Sequence, residues 1–148
     1  MVLPGGESTV QGKLIRELEM YEEIKRRIKD GLPVLATCAG MILLADEIAG
    51  GKQTHLGLLP AVVKRNAYGR QLGSFYAEGE VRGIGTVPMT FIRAPYIEKV
   101  KADTEVLAEV DGNIVAVKNK NILALSFHPE LDSDKKIHKY FQEMIENY

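Results

Sequence analysis

Apolar positions in the first third of the chain predict a helix, a buried strand and a second helix. Apolar side chains recur at every third or fourth position of residues 9–30, which places them on one face of a helix. Ser8 and Gln11 have the spacing of a capping box, so we expect Ser8 to cap this helix. Residues 32–37 form a short apolar run typical of a strand buried on both faces, and residues 39–49 predict a further helix. This order of elements is typical of α/β proteins.

The second half of the chain contains shorter apolar runs that predict strands. These runs cover residues 58–63, 74–81, 89–93, 105–110, 113–118 and 122–127. Asp111-Gly112 is a hairpin turn signal between two of them, and residues 133–148 have the spacing of a final helix. We therefore predict one α/β domain, residues 1–148, with a mainly parallel sheet, flanking helices and an antiparallel portion in the second half.

Composition and charge exclude several classes of protein. The 148 residues are 45% apolar and 26% charged, as in an average globular domain, and the net charge of -1 argues against a nucleic-acid partner. The longest uncharged stretch, residues 31–45, is shorter than the ~18 apolar residues of a membrane-spanning helix. The single cysteine excludes an internal disulfide, and no Cys/His cluster has zinc-ligand spacing. We expect a cytoplasmic protein without a metal site.

A strand, a sharp turn and a helix surround that cysteine. In Ala36-Thr37-Cys38-Ala39-Gly40, small residues flank the thiol, as a nucleophile elbow requires. The thiol would then lie at a helix start, where the helix dipole favours the thiolate. A buried structural cysteine in an ordinary turn is equally compatible with this segment.

The segment Phe127-His128-Pro129-Glu130 follows the last predicted strand. Proline favours an extended residue before it, so the side chains of His128 and Glu130 should project to the same side. A carboxylate in that position can orient an imidazole, as in a catalytic triad. The alternative is a simple strand-to-helix turn with a solvated glutamate.

The segment Pro4-Gly5-Gly6-Glu7-Ser8-Thr9 precedes the first helix. Paired glycines let the backbone approach a ligand and direct N–H groups toward it, as an oxyanion hole requires. Only Met1-Val2-Leu3 stand before this turn, fewer than the ~5–6 residues of a usual strand. We therefore expect the sequence to open in the middle of an element.

Together, these three motifs resemble those of the class I, triad-type glutamine amidotransferases. Residues 65–71 and Phe91-Ile92-Arg93-Ala94-Pro95 are further similar to segments of the glutaminase subunits of pyridoxal 5'-phosphate synthase. The resemblance implies a flavodoxin-like, three-layer fold that here lacks the amino-terminal strand, helix and most of the second strand.

The resemblance also assigns roles to individual residues. It implies that Cys38 is the nucleophile, His128 the general base and Glu130 the residue that orients it. The backbone N–H groups of Gly6 and Ala39 would form the oxyanion hole. The implied glutamine-binding positions are Gly6, Glu7, Ser8, Arg65, Ile92 and Arg93. For the two arginines, a surface salt bridge is the alternative to recognition of a substrate carboxylate.

The implied reaction is hydrolysis of L-glutamine to L-glutamate and ammonia. In this family the ammonia passes to a synthase subunit that makes pyridoxal 5'-phosphate, and no metal or organic cofactor takes part in the glutaminase step. Two alternatives stay open: a glutaminase that serves another synthase, and a non-catalytic, truncated paralogue that acts as a binding or regulatory subunit.

Overall fold

The computed structural model describes residues 1–65 and 74–148. Their elements are, in chain order, β1 (Val2–Leu3), α1 (Ser8–Glu17), α2 (Tyr21–Lys29), β2 (Val34–Thr37), α3 (Ala39–Leu44), β3 (Ala45–Ile48), β4 (Leu59–Lys64), β5 (Ser74–Val81), β6 (Gly85–Ile92), β7 (Tyr96–Val100), β8 (Glu105–Val110), β9 (Asn113–Asn119), β10 (Ile122–Leu125), a 3₁₀ turn (Pro129–Leu131) and α4 (Lys136–Glu146). Residues 65–71 form one of the segments on which the family resemblance rests. Of these, only Arg65 lies within the described residues.

The main sheet has the strand order β1-β2-β10-β9-β7-β4-β3, and β8 pairs with β9. Strands β1, β2 and β10 are parallel, as are β3 and β4. The pairs that involve β7 and β9 are antiparallel, and β5 and β6 form a separate hairpin. The predicted α/β class is confirmed, and the antiparallel portion is larger than the sequence indicated, because the unpredicted β7 joins β4 to β9.

The core lies on both faces of this sheet. Val34 and Ala36 of β2 pack into one apolar cluster with α2 and α3, whereas Leu35 packs into a second cluster with β6 and α4. All four residues of β2 are buried, which confirms the strand buried on both faces. Within the described residues, no helix is both long enough and apolar enough to cross a membrane.

The prediction of one continuous helix over residues 9–30 is wrong, because the structure has two helices there. Helix α1 ends at Glu17, the chain turns at Glu19 with a positive φ of 57°, and α2 begins at Tyr21. A residue in the left-handed region interrupts the hydrogen bonding of a right-handed helix. The break lets α2 bury Ile24 and Ile28, while Leu18 stays exposed.

The predicted helix over residues 39–49 is also too long. Helix α3 ends at Leu44, and Ala45–Ile48 form strand β3 parallel to β4. Every residue of α3 is buried, so its apolar run could not indicate where the helix ends. The Asp46 side chain accepts a hydrogen bond from the N–H of Ala61 in β4, a contact between elements that the sequence pattern does not contain.

Candidate active site

Cys38 occupies the sharp turn between β2 and α3. Its backbone has φ 51° and ψ -109°, a conformation that L residues rarely adopt, and its N–H donates to the Leu125 carbonyl across 2.8 Å. A Cβ on Gly40 would collide with the carbonyl oxygen of Leu3 in β1, so this position requires glycine. The strand, turn and helix predicted around the thiol are therefore present, with the close backbone approach that an elbow needs.

The thiol of Cys38 is buried, with 7% of the residue exposed. Its Sγ lies 3.8 Å from the Ile92 carbonyl oxygen. Burial raises the pKa of the Cys38 thiol, the Ala39 N–H partly opposes this, and the charge of Glu130 raises the pKa further. The N–H at the helix start thus favours the thiolate, as predicted, but desolvation outweighs this single contact and the net pKa is raised.

His128 and Glu130 form a hydrogen-bonded pair directly after β10. His128 Nδ1 lies 2.6 Å from Glu130 Oε1, as the proline between them led us to expect. An ionised carboxylate can only accept, so the proton of this bond belongs to Nδ1 and leaves Nε2 free to accept a proton. The His128 side chain is 12% exposed and that of Glu130 48%, so the carboxylate holds the imidazole from the solvent side.

The thiol and the imidazole face one cavity of about 370 Å³. Its lining residues are Gly6, Glu7, Ser8, Cys38, Ala39, Ile42, Arg65, Ile92, Arg93 and His128. The structure thus brings together every residue predicted for the site, with Glu130 behind His128. Sequence reasoning missed Ile42, which reads as an ordinary core position of a buried helix. In the described ranges, no group of three or more His, Cys, Asp or Glu could hold a metal ion.

The loop before α1 gives the cavity its polar end. Contrary to the capping-box prediction, the helix cap is Glu7, whose carboxylate accepts from the N–H groups of Thr9 at 3.2 Å and Val10 at 2.9 Å. The Val10 N–H is the main reason that the pKa of Glu7 is lowered, with further lowering by Thr9 and Arg65. The freed Ser8 hydroxyl is buried and, among the residues the structure describes, has no hydrogen-bond partner.

Two arginines stand at the cavity. Arg65 follows β4 and donates from Nη2 to Glu7 Oε1 across 3.1 Å, so both the salt bridge and the cavity position foreseen for it are present. Arg93 follows β6 with a positive φ of 46°, directly after Ile92, whose carbonyl faces the thiol. The hairpin of β5 and β6 therefore delivers Ile92 and Arg93 to the site.

Gly5 is a residue of this site that the role assignments missed. A Cβ on Gly5 would collide with Cε1 of the His128 imidazole, so the glycine backbone packs directly on the ring. The paired glycines of the loop were a signal for backbone approach, but the partner of Gly5 could not be read from the sequence.

The site combines a buried thiol on an elbow with an imidazole that a carboxylate holds, on one polar cavity. This combination is typical of enzymes that use a nucleophile, a base and a residue that orients the base. Residues 1–147 match the model of the SNO glutamine amidotransferase family, so the chain is a glutamine amidotransferase and belongs to that family. The resemblance inferred from the three motifs is confirmed.

Individual relatives agree with this assignment. The chain is 60% identical over 145 residues to the pyridoxal 5'-phosphate synthase subunit PdxT of Desulfitobacterium hafniense, covering 98% of this chain and 73% of the relative. It is 58% identical over 144 residues to PdxT of Streptococcus pneumoniae, covering 97% of this chain and 74% of the relative. A crystal structure of a glutamine amidotransferase superimposes with a TM-score of 0.92 at 46% identity, covering 98% of this chain and 78% of that one.

Proposed function

We propose that the chain hydrolyses the side-chain amide of L-glutamine through Cys38, His128 and Glu130, as the glutaminase subunit of a pyridoxal 5'-phosphate synthase. The observation that carries the proposal is the 2.6 Å pair between His128 Nδ1 and Glu130 Oε1, with the imidazole on the same cavity as the only thiol of the sequence. A base held in one orientation beside a nucleophile is what covalent acyl transfer requires.

In the first half of the reaction, His128 Nε2 takes the thiol proton as Sγ bonds to the carboxamide carbon. The N–H groups of Gly6 and Ala39 stabilise the negative charge that forms on the amide oxygen. When the tetrahedral intermediate collapses, His128 returns the proton to the nitrogen, ammonia leaves and a thioester to Cys38 remains. The raised pKa of Cys38 supports this order, because the thiol stays neutral until the base takes its proton.

The second half releases the acid product. Water attacks the thioester carbon while His128 takes a proton from that water. Collapse of the second intermediate breaks the bond to sulfur, returns the proton to Sγ and frees glutamate. Glu130 stabilises the imidazolium that forms in each half.

The polar end of the cavity matches the amino-acid part of glutamine. The guanidinium groups of Arg65 and Arg93 suit the α-carboxylate, and the Glu7 carboxylate suits the α-ammonium. Ser8 lines the same end of the cavity, next to Glu7.

The partner and the compartment follow from the relatives and from the thiol. Because PdxT relatives are named as synthase subunits, we propose that the ammonia is delivered to a synthase subunit that builds pyridoxal 5'-phosphate. A single cysteine without a disulfide partner in the sequence is typical of reducing compartments, which supports a cytoplasmic location.

The test uses the chain together with the synthase subunit and glutamine labelled with ¹⁵N in the amide. We expect ¹⁵N in pyridoxal 5'-phosphate, and we expect a diazoketone analogue of glutamine to label Cys38, as mapped by peptide mass spectrometry. The variant Cys38→Ala should lose hydrolysis while keeping its melting temperature. Label at another residue, or hydrolysis by Cys38→Ala, would contradict the triad. Labelled ammonia without labelled product would favour a glutaminase that serves another synthase.

A further inference from the structure

The side chain of Gln11 braces the glycine loop beside the nucleophile. Gln11 lies in the first turn of α1, and its Nε2 donates to the Pro4 carbonyl and to the Gly5 carbonyl, each across 3.2 Å. Both loop atoms are acceptors, so only the amide nitrogen of the carboxamide can face them. Gln11 was expected in a capping box, and the structure instead directs its side chain to the loop.

This contact constrains the orientation of one peptide plane. The C=O of Gly5 and the N–H of Gly6 belong to the same planar trans peptide and point in opposite directions. Holding the Gly5 oxygen toward Gln11 therefore directs the Gly6 N–H to the other side of the loop. Glycine φ and ψ preferences alone leave this plane free to rotate, so an external contact must set it. Gly6 itself has φ 140°, a conformation that L side chains rarely adopt.

The contacts around the Gln11 carboxamide indicate a specific role for its donor atom, Nε2. A Cβ on Gly6 would lie 3.0 Å from Gln11 Nε2, and one on Gly5 would collide with His128. The loop is thus enclosed between the carboxamide and the imidazole. Within the described residues, Gln11 Oε1 is buried without a hydrogen-bond partner. A buried polar atom without a partner is costly, and an apolar side chain would fill the same space without that cost.

We propose that Gln11 is a positioning residue for catalysis: its carboxamide sets the Gly5–Gly6 peptide so that the Gly6 N–H serves as an oxyanion donor. The inference rests on the proposed function, because it concerns the oxyanion of glutamine hydrolysis. It predicts an effect on the chemical step, which forms the oxyanion, more than on binding of the ground state.

The experiment compares Gln11→Met with wild type in the presence of the synthase subunit. Methionine has a similar length and no donor, so kcat should fall by up to about 10²–10³-fold, the usual effect of losing one oxyanion donor, while KM stays close to wild type. Alkylation of Cys38 by iodoacetamide forms no oxyanion, so its rate should not change. Gln11→Lys, which restores a donor, should recover part of kcat. The matched control is Gln142→Met, since Gln142 is exposed on α4 and contacts Glu146.

The outcomes separate this inference from the proposed function. A wild-type kcat in Gln11→Met, or an equal loss in Gln142→Met, would overturn the role of Gln11. A parallel loss of alkylation and hydrolysis would also overturn it, because that pattern indicates a collapsed site. Absence of hydrolysis in wild type with its synthase subunit would instead contradict the proposed function itself.

Discussion

At the scale of single residues, the position of the His128 imidazole is determined by several independent contacts. Its backbone N–H donates to the Thr90 carbonyl across 2.9 Å, its Nδ1 pairs with Glu130, and Gly5 packs against the ring. The Thr90 hydroxyl in turn donates to Asp132 across 3.0 Å, beyond the 3₁₀ turn that carries Glu130. An imidazole fixed in this way would lose little freedom in the proton transfers that we propose for it.

Cys38 should show the effect of its burial in a pH titration. Because desolvation raises its pKa and the Glu130 charge raises it further, the thiolate should form only above the ordinary thiol range. The iodoacetamide rate of the chain, followed by mass spectrometry from neutral to alkaline pH, should therefore rise with a midpoint above that of a free cysteine. In Glu130→Gln the midpoint should move down, because one negative charge is removed. A midpoint at or below that of free cysteine would contradict the assigned cause.

At the scale of elements, the elbow depends on close packing between α3 and β1. Gly40 lies two positions after Cys38, and the carbonyl of Leu3 occupies the space where its side chain would be. The obstacle is backbone, which cannot move away without shifting a strand of the sheet. Glycine is therefore required at this position by the contact between α3 and β1, in addition to the preference of the turn for small residues.

Gly40→Ala should destabilise the fold and disturb the turn at Cys38. We expect the free energy of unfolding in urea to fall by about 1–3 kcal/mol, the usual cost of overpacking, with a loss of glutamine hydrolysis. The control is Gly79→Ala on β5, where the new Cβ would meet mainly the flexible end of Met89. Equal, small effects of the two substitutions would show that β1 and α3 separate easily.

At the scale of the whole molecule, a separate hairpin completes the site on the main sheet. Strands β5 and β6 pack onto the sheet through aromatic rings: Phe91 stacks on Phe75 with centroids 4.5 Å apart and meets the edge of Phe127 at 5.8 Å. Phe127 directly precedes His128, and Phe91 directly precedes Ile92. One apolar cluster thus holds the His128 imidazole and the Ile92 carbonyl in a fixed relation to each other.

Phe91→Ala should reveal the contribution of this cluster to stability. Phe91 is fully buried, so its truncation should lower the free energy of unfolding by about 3–5 kcal/mol. Tyr76→Ala on β5 is the control, because Tyr76 is 58% exposed and little apolar area is lost there. Urea unfolding followed by circular dichroism measures both. A loss as small as that of Tyr76→Ala would contradict the packing of the hairpin on the sheet.

Among the elements, those with a single dominant local signal were predictable. The buried strand β2 and the final helix α4 followed from an apolar run and a helical period. The break at Glu19, the short α3 and the strand β7 did not, because they depend on pairing and burial between distant segments. An apolar pattern indicates that a residue is buried, but it does not indicate which element of the fold packs against that residue.

For the site, the sequence by itself determined the chemical groups and their local directions. Cys38 at a turn between small residues, and His128 and Glu130 on the same side of a proline, follow from backbone sterics within a few residues. Only the tertiary structure decided that Glu7 caps α1 while the Ser8 hydroxyl is buried, that Gln11 supports the glycine loop, and that burial raises the pKa of Cys38. These properties arise because chain segments far apart in sequence exclude solvent from the site and supply hydrogen-bond acceptors to it. No local sequence pattern encodes which of these segments lie close together.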